Sequence, residues 1–475
     1  MIFNSYHFLC FFPLVTLVYF LLPSRVRWLW LLAASYYFYM CWNAGYALLI
    51  ALSTVVTFVC GLLCDRIELR RMRTAVMIAG LGVNLGILGF FKYYNFFGEM
   101  LSRVFHAAGI AMSVPRLDVL LPVGISFYTF QALSYMLDVY RKEIPAEKNL
   151  LRYALFVSFF PQLVAGPIER SSNLLSQVNN PREWDKGSAR DGLCIMLLGF
   201  FEKIVIADRA AIYVDAVYDQ WYAASGWQIV LATVLFAFQI YGDFGGYSHI
   251  AIGAAKIMGL NLMDNFRQPY FAVSVRDFWR RWHISLSTWF RDYLYIPLGG
   301  SRVSACRRAL NTMITFTVSG LWHGASLNYV VWGMLNGALQ VLEGLFGKRK
   351  KEETLPVRLL RMAGTFVMIC CTWFFFRVHA LSTGVKMIRR IFAHFAAPGV
   401  ATGFSVGQAV VLAVSIALLM LLDALHESGR RLTDLSRKWP FALWGFLGLA
   451  AVLLIVLFGV WGPSYNAQAF IYFVF

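Results

Sequence analysis

The chain has 475 residues, of which 59% are hydrophobic and only 14% are Asp, Glu, Lys or Arg. Soluble globular domains contain about 25% charged residues, so this composition excludes a soluble enzyme, a disordered chain and a secreted disulfide scaffold. The formal net charge of +17 comes from basic clusters between apolar runs. That pattern is typical of cytoplasmic loops in membrane proteins and argues against nucleic-acid binding.

Apolar runs follow one another along the chain. The first begins at Ile2 with no basic residue before it and no small-residue cleavage pattern after it, so we expect a retained span and not a signal peptide. Several runs are shorter than the roughly 17 residues that a crossing helix needs. We predict an all-α integral membrane protein, one domain over 1–475, with about eleven full crossings and re-entrant segments between them. The runs are 3–22, 28–42, 46–64, 75–97, 119–138, 151–166, 192–207, 228–243, 310–323, 327–346, 359–379, 406–424 and 440–461.

Basic clusters predict how these spans are oriented. They lie at 66–73, 141–148, 347–358 and 428–438, and the second and third of these include Lys148 and the run Lys348–Lys351. Cytoplasmic loops carry an excess of Lys and Arg. Alternation from span to span then places these loops in the cytoplasm and the N-terminus on the other side.

The segment 276–292 mixes arginines with tryptophans and phenylalanines. Such mixing is typical of the membrane interface, where rings lie at headgroup depth and guanidinium groups reach water. One interpretation is a helix on the membrane surface. The other is a polar entrance whose guanidinium groups bind the phosphates of an anionic substrate. His283 is as readily a packing residue as a functional one. The arginines are Arg276, Arg280 and Arg281.

His323 ends the run 310–323, which contains no charged residue. An ionisable side chain at membrane depth is costly and is therefore a functional candidate. Imidazole is suited to proton transfer near neutral pH, although a lone histidine in an apolar helix is more often only hydrogen-bonded. We expect Gly320 and Gly324 to leave room for a substrate beside the ring.

Glycines surround Asp243 in the segment 239–249. We expect them to break a helix and free backbone groups, so that Asp243 either orients a histidine or caps the broken helix. Gly82 and Gly86 have the spacing of a close helix contact. The eight cysteines show no metal-ligand spacing, so we predict no metal site and no bound cofactor.

Several motifs, taken in order, resemble the membrane-bound O-acyltransferase (MBOAT) family, and within it the AlgI-like branch of alginate O-acetyltransferases. Together they extend over nearly the full length, and their combination and order are far more specific than any one motif. The motifs are FNSYHFLCFFPLVTLVYFLLP near the start, LPVGISFYTFQALSYMLDVYR (121–141), FFPQLVAGPIER (159–170), IYGDFGGYSHIAIGAAKIMG (240–259), DFWRRWHISLSTWFRDYLYIPLGG (277–300), GLWHG (320–324) and FIYFVF at the end.

The resemblance implies an MBOAT-like ring of tilted helices around a thin centre, where funnels from both faces meet at a histidine. His323 matches that histidine, and His283 matches the second histidine of the family, in the motif RWH. The resemblance also implies that an acetyl group passes from a cytoplasmic thioester, with acetyl-CoA the expected donor, to an exported polysaccharide. An extracytoplasmic SGNH-type acetyltransferase is the expected partner. The expected location is the bacterial cytoplasmic (inner) membrane.

Acyl transfer from a thioester needs a base for the attacking hydroxyl and hydrogen-bond donors for the oxyanion. His323 is expected to be the base. Asn311, Ser319 and backbone N–H groups near Gly324 are alternative oxyanion donors, and Arg276, Arg280 and Arg281 are expected to bind donor phosphates.

One departure from the family pattern concerns His249, which stands where the family usually has Asp. If that carboxylate orients a catalytic group, the role is in doubt here. Three other functions stay open: D-alanyl transfer to teichoic acid, O-acetylation of peptidoglycan and, from a different class, transport or lipid flipping. The chain shows no inverted repeat of the kind that transporters often carry.

Overall fold

The computed structural model describes residues 1–118, 120–345 and 354–461, and within these ranges every regular element is a helix. The all-α prediction is confirmed for this part of the chain. The basic run Lys348–Lys351 and the terminal FIYFVF lie outside the described residues.

The first half of the chain forms helices of uneven length. A proline at 161 follows the break in the run 151–166, where α6 ends and α7 begins; proline lacks the N–H that a continuous helix needs. The helices are α1 (Tyr6–Leu21), α2 (Ser24–Met40), α3 (Tyr46–Arg66), α4 (Arg70–Ala107), α5 (Ile125–Tyr140), α6 (Leu150–Ser158), α7 (Phe160–Leu163), α8 (Ser171–Asn179), α9 (Lys186–Phe200), α10 (Asp208–Asp219), α11 (Gly226–Ile240) and α12 (Gly246–Ile257).

The second half contains the two histidine motifs. Three π-helical turns interrupt the chain, at Phe201–Ala207, Tyr241–Gly245 and Arg291–Tyr295, and a 3₁₀ turn lies at Pro269–Phe271. The helices are α13 (Val275–Arg281), α14 (Ile284–Phe290), α15 (Ala305–His323), α16 (Leu327–Leu345), α17 (Leu355–Arg377), α18 (Leu381–Ala393), α19 (Val406–Glu427), α20 (Leu432–Arg437) and α21 (Phe441–Phe458).

Six helices of the described residues are long and apolar enough to cross a membrane: α3, α4, the unit of α11 and α12, α17, α19 and α21. The expected count of about eleven full crossings is therefore not confirmed. Most other apolar runs form shorter helices, such as α5 with 16 residues, which at about 1.5 Å per residue is too short to span a hydrocarbon core of about 30 Å unaided.

Contacts between helix ends define one face of the molecule. Lys142, after α5, pairs with Asp65 in the last turn of α3 at 3.6 Å, and Arg141 donates to the carbonyl of Asp292 at 3.0 Å. Arg276 lies beside Glu343, near the end of α16. We call this side, where α3, α5 and α16 end, the basic face.

The helices α15 and α16 form an antiparallel hairpin with His323 near its tip. A Cβ at Gly320 would collide with the carbonyl of Tyr329, and one at Gly324 would collide with the Tyr329 ring. The expectation that these glycines leave room for a substrate is wrong, because Tyr329 fills that space.

Glycines at 242–246 also serve packing. The helix is not broken there, since α11 continues through the π turn into α12. A Cβ at Gly246 would meet the carbonyl oxygen of Gly199 at 2.6 Å. Gly82 and Gly86, in contrast, have no atom of the described residues within 4 Å of such a Cβ, so the close contact predicted for them is not made within that part of the chain.

Candidate active site

His323 occupies the last position of α15 and is 4% exposed. Its ring lies between aromatic neighbours, with centroids 5.0 Å from Trp332, 5.3 Å from Phe376 and 4.9 Å from Trp322. These rings hold the imidazole edge-on and exclude most water from three sides. A base in such a site has few competing solvent contacts and a fixed direction.

A small cavity of about 50 Å³ reaches His323. It is bounded by the start of α5 and the segment before it, on the side of the molecule opposite the basic face. Its lining is Lys92, Leu121, Pro122, Val123, Gly124, Ile125, Ser126, Phe127, Val164, Trp322 and His323. A small hydroxyl group can therefore approach His323 from this side without crossing packed hydrocarbon.

His283 lies in the turn between α13 and α14 with φ at +44°. Few residues other than glycine adopt this left-handed conformation, so the turn is held by its surroundings. The Nδ1 atom of His283 contacts the side-chain oxygen of Asn265 at 3.1 Å, and the Ser285 N–H donates to the same oxygen at 3.3 Å. Since an amide oxygen only accepts, Nδ1 carries the hydrogen and Nε2 is the acceptor of the neutral ring.

The orientation of Asn265 is fixed from both ends. Its amide nitrogen donates to the Ser248 hydroxyl at 3.0 Å, and the Ser285 hydroxyl donates to its oxygen at 2.9 Å. These bonds lock the tautomer and the ring plane of His283, which is 1% exposed. Because its orientation is fixed in advance, the imidazole can hydrogen-bond to a substrate through Nε2 without first reorienting.

The two histidines face one another across the centre of the molecule, with ring centroids 6.4 Å apart. Phe127, in the first turn of α5 and at the cavity, stacks against His283 at 6.3 Å. Arg281, only two residues from His283, pairs at 2.7 Å with Glu427, the last residue of α19. His283 thus lies between Phe127 at the cavity and the ion pair of Arg281 with Glu427.

The arginines predicted to bind phosphate differ in their exposure and in their ion pairs. Arg276 and Arg280 are exposed. Arg281 is half-buried, and Asp277 and Glu427 neutralise it at 3.2 and 2.7 Å. Arg276 and Arg280 are thus available to an anion, whereas the guanidinium of Arg281 holds α13 to the end of α19.

Known proteins resemble this chain over most of its length. A model of the membrane-bound O-acyltransferase family matches residues 141–385. The chain is 39% identical over 398 residues to a probable alginate O-acetylase AlgI of Pseudomonas putida, covering 83% of this chain and 80% of that protein. It is 34% identical over 423 residues to a peptidoglycan O-acetyltransferase of Helicobacter pylori, covering 82% and 79%. A teichoic acid D-alanyltransferase of Bacillus subtilis is 27% identical over 274 residues, 54% of this chain and 68% of that one.

The chain belongs to the MBOAT family. It is therefore a membrane-bound O-acyltransferase, as predicted, and the transporter interpretation is set aside. The MBOAT motifs GLWHG and RWH supply His323 and His283, the two histidines whose rings the fold brings to within 6.4 Å of each other.

The supporting residues predicted from the sequence lie in different places. Ser319 is one helical turn before His323 and is buried. Asn311 is not brought to His323, because 12 residues of α15 separate them by about 18 Å. Its side chain accepts from Arg307 at 3.0 Å and donates to the Gly300 carbonyl at 3.2 Å, so it anchors the turn before α15.

Asp243 lies in the second π turn and is buried. It pairs with Lys203 at 2.6 Å, and Lys203 also binds Asp208 at 2.7 Å. His249, which replaces the usual Asp of the MBOAT pattern, has its own carboxylate partner, since its Nδ1 lies 2.6 Å from Glu202. Asp243 thus joins the second π turn to the first, and His249 joins α12 to the first π turn.

Sequence reasoning missed Asn265, Ser248 and Ser285, the residues that orient His283. Ser285 stands two residues after His283 in the same motif, and Ser248 stands in DFGGYSH, so both lay within segments already singled out. Asn265 carried no signal, because a single Asn in an irregular segment has many ordinary roles.

Proposed function

We propose that this protein moves an acetyl group from a cytoplasmic thioester, acetyl-CoA, to a hydroxyl on the other side of the bacterial cytoplasmic membrane, for O-acetylation of an exported polysaccharide such as alginate. In this proposal the basic face lies toward the cytoplasm. An SGNH-type acetyltransferase outside the membrane takes part in the final transfer. The Pseudomonas putida relative, which is named as a probable alginate O-acetylase, supports this choice of substrate.

The observation that carries the proposal is the position of His323 between a cavity and the basic face. The cavity opens opposite the basic face, and Arg276 and Arg280 are exposed on the basic face. In this proposal the hydroxyl acceptor reaches His323 through the cavity and the charged donor approaches from the basic face, so neither has to enter lipid.

The chemistry follows from the two imidazoles. The acceptor hydroxyl attacks the thioester carbonyl carbon while His323 takes the hydroxyl proton. A new C–O bond forms, and the carbonyl oxygen becomes an oxyanion. When the oxyanion collapses, the C–S bond breaks and the imidazolium of His323 returns its proton to the leaving thiolate. The products are an ester and a free thiol, so atoms, charge and protons balance.

The oxyanion needs a hydrogen-bond donor close to His323. Ser319 and the backbone N–H groups near Gly324 satisfy this condition by position, whereas Asn311 is engaged about 18 Å away along α15. His283 lies opposite His323. We assign to His283 the role of orienting the thioester or the acceptor in the gap between the two rings.

O-acetylation of peptidoglycan is the second candidate, because the Helicobacter pylori relative of that name is 34% identical over 82% of this chain. D-alanyl transfer is supported less, since the Bacillus subtilis relative matches only 54% of the chain. The donor chemistry and the roles of His323 and His283 are the same in each case, so these functions differ only in the acyl group and the polymer.

The test measures ester-linked acetyl groups on exported glycans in cells with wild-type protein, His323→Ala and His283→Asn. Asn tolerates a left-handed backbone, so His283→Asn removes the imidazole and keeps the turn. We expect both variants to abolish acetylation at normal membrane abundance. Purified wild-type protein should release free thiol from radiolabelled acetyl-CoA in the presence of acceptor. Full acetylation with His323→Ala would overturn the assignment of the base.

A further inference from the structure

The C-terminal end of α15 is held by two neighbouring side chains of α4. The Lys92 ammonium donates to the carbonyl of Trp322 at 2.6 Å and to that of His323 at 3.1 Å. The Tyr93 hydroxyl donates to the carbonyl of Leu321 at 2.8 Å. Three consecutive carbonyls, the last of them belonging to His323, are therefore bound by consecutive residues of another helix.

These carbonyls need partners from outside α15. The last four C=O groups of a helix have no N–H donor within the helix, and leaving them buried without a donor costs free energy. A positive charge at this end also interacts favourably with the helix dipole. Lys92 supplies both the donors and the charge at the residue that bears the imidazole.

The free-energy cost of burying the Lys92 ammonium at membrane depth indicates that this side chain has a function. It lies within α4, one of the helices long and apolar enough to cross the membrane, where a lysine is expensive. Its ammonium also contacts the Ser126 hydroxyl at 3.3 Å and lies 5.6 Å from the centre of the Trp322 ring. Lys92, Ser126, Trp322 and His323 all line the cavity. The ammonium thus ties the cavity wall to the end of α15.

We propose that Lys92 is a positioning residue, which fixes the last turn of α15 so that the His323 imidazole points at the acceptor in the cavity. The inference rests on the proposed function of His323 as the base. Lys92 touches neither of the reacting groups in this account, and it acts through the backbone of Trp322 and His323.

The test compares Lys92→Met, which keeps the length of the side chain, with Lys92→Arg, which keeps the charge and the donors. We expect Lys92→Met to lower kcat for acetyl transfer about 100-fold, the loss that a misplacement of about 1 Å can cause. Lys92→Arg should recover most of this loss. Asn95→Ala is the matched control, since Asn95 is one turn further along α4 and bonds only Leu117 among the contacts we observe.

Amide hydrogen exchange supplies a readout that does not depend on the reaction. In Lys92→Met, exchange at 318–324 should rise at least about tenfold while α17 exchanges as in wild type, because only the local end of α15 is released. Lys92→Arg should restore slow exchange, and Asn95→Ala should not alter it. A fold-wide role would instead raise exchange in α17 as well, which would overturn the inference.

Two other results would also overturn it. Unchanged exchange at 318–324 in Lys92→Met would show that the ammonium does not hold the turn. Faster exchange with wild-type kcat would show that holding the turn does not position the base. The proposed function fails by a different result, namely acetyl transfer that survives His323→Ala in the same assay.

Discussion

At the scale of single residues, the position of His283 depends on one amide. Asn265 accepts from His283, from the Ser285 N–H and from the Ser285 hydroxyl. Asn265→Ala removes the group that fixes the tautomer, so we expect kcat to fall roughly 10- to 100-fold with little change in protein abundance. Ser285→Ala leaves the hydrogen bond that His283 donates to Asn265 and should lower kcat less. Steady-state kinetics on purified variants measure both, and wild-type kcat in Asn265→Ala would refute the role.

Glu169 gives a second prediction at this scale. It lies in the turn between α7 and α8, outside the membrane-spanning helices, and is fully buried. It accepts from Asn173 at 2.8 Å and from the Met263 N–H. Burial raises the pKa of its carboxyl from 4.5 to about 7. The folded protein therefore binds this proton more tightly than the unfolded chain does.

The sign of the pH effect follows from that difference. Stability from the neutral carboxyl is fully present below pH 4.5 and is lost as pH rises through about 7. Glu169→Gln cannot ionise, so the free energy of unfolding of wild type should fall relative to this variant by about 3 kcal/mol across that range. Thermal unfolding in detergent between pH 5 and 8 measures it. The exposed Glu68, changed to Gln, is the control, and parallel curves for Glu169→Gln and wild type would contradict the prediction.

At the scale of elements, the hairpin of α15 and α16 depends on glycines that allow backbones to touch. A Cβ at Gly320 would collide with the Tyr329 carbonyl, and one at Gly333 would collide with that of Phe316. Gly320→Ala should separate the helices, destabilise the protein by about 1–3 kcal/mol and reduce acetyl transfer. Gly364→Ala in α17 is the control, because no atom of the described residues lies within 4 Å of a Cβ placed there. Equal unfolding temperatures for the two variants would show that the hairpin tolerates the extra methyl.

The sequence could predict most helices because long apolar runs are local signals. It placed α15 at 310–323, while the helix begins at Ala305, because polar residues in its first turns, including Arg307 and Arg308, hide the start of the helix. Likewise the run 75–97 becomes α4 over Arg70–Ala107. Hydropathy indicates only the part of a helix that lies in lipid, and these two helices extend beyond their apolar part.

The candidate site was only half predictable for a related reason. Motifs identify His323 and His283, but the groups that hold them come from distant parts of the chain. Lys92 binds a carbonyl 230 residues away, and no local pattern reports such a contact. The expectation of free space beside Gly320 and Gly324 was also wrong, because the neighbouring helix decides whether the space beside a glycine is filled.

At the scale of the whole molecule, the orientation of the two faces decides which reactant reaches which side. Native cysteines can report it. Cys41, between α2 and α3, and Cys306, in the first turn of α15, are both exposed. Cys41 lies on the side where α3 begins, and Cys306 lies at the basic face, where α16 ends. Cys10 and Cys371 are exposed within α1 and α17, where lipid excludes a charged reagent.

We expect a membrane-impermeant maleimide to label Cys41 in intact spheroplasts and to label Cys306 only after permeabilisation, because the excess of Lys and Arg favours the proposed orientation, with the basic face toward the cytoplasm. Peptide mass spectrometry identifies the labelled sites, and Cys41→Ser and Cys306→Ser each remove one signal. The opposite pattern, with Cys306 labelled in intact spheroplasts, would show that the protein has the opposite orientation in the membrane. The cavity at His323 would then face the cytoplasm and the exposed Arg276 and Arg280 would face away from any CoA, so the proposed direction of acetyl transfer would fail even if His323 remained the base.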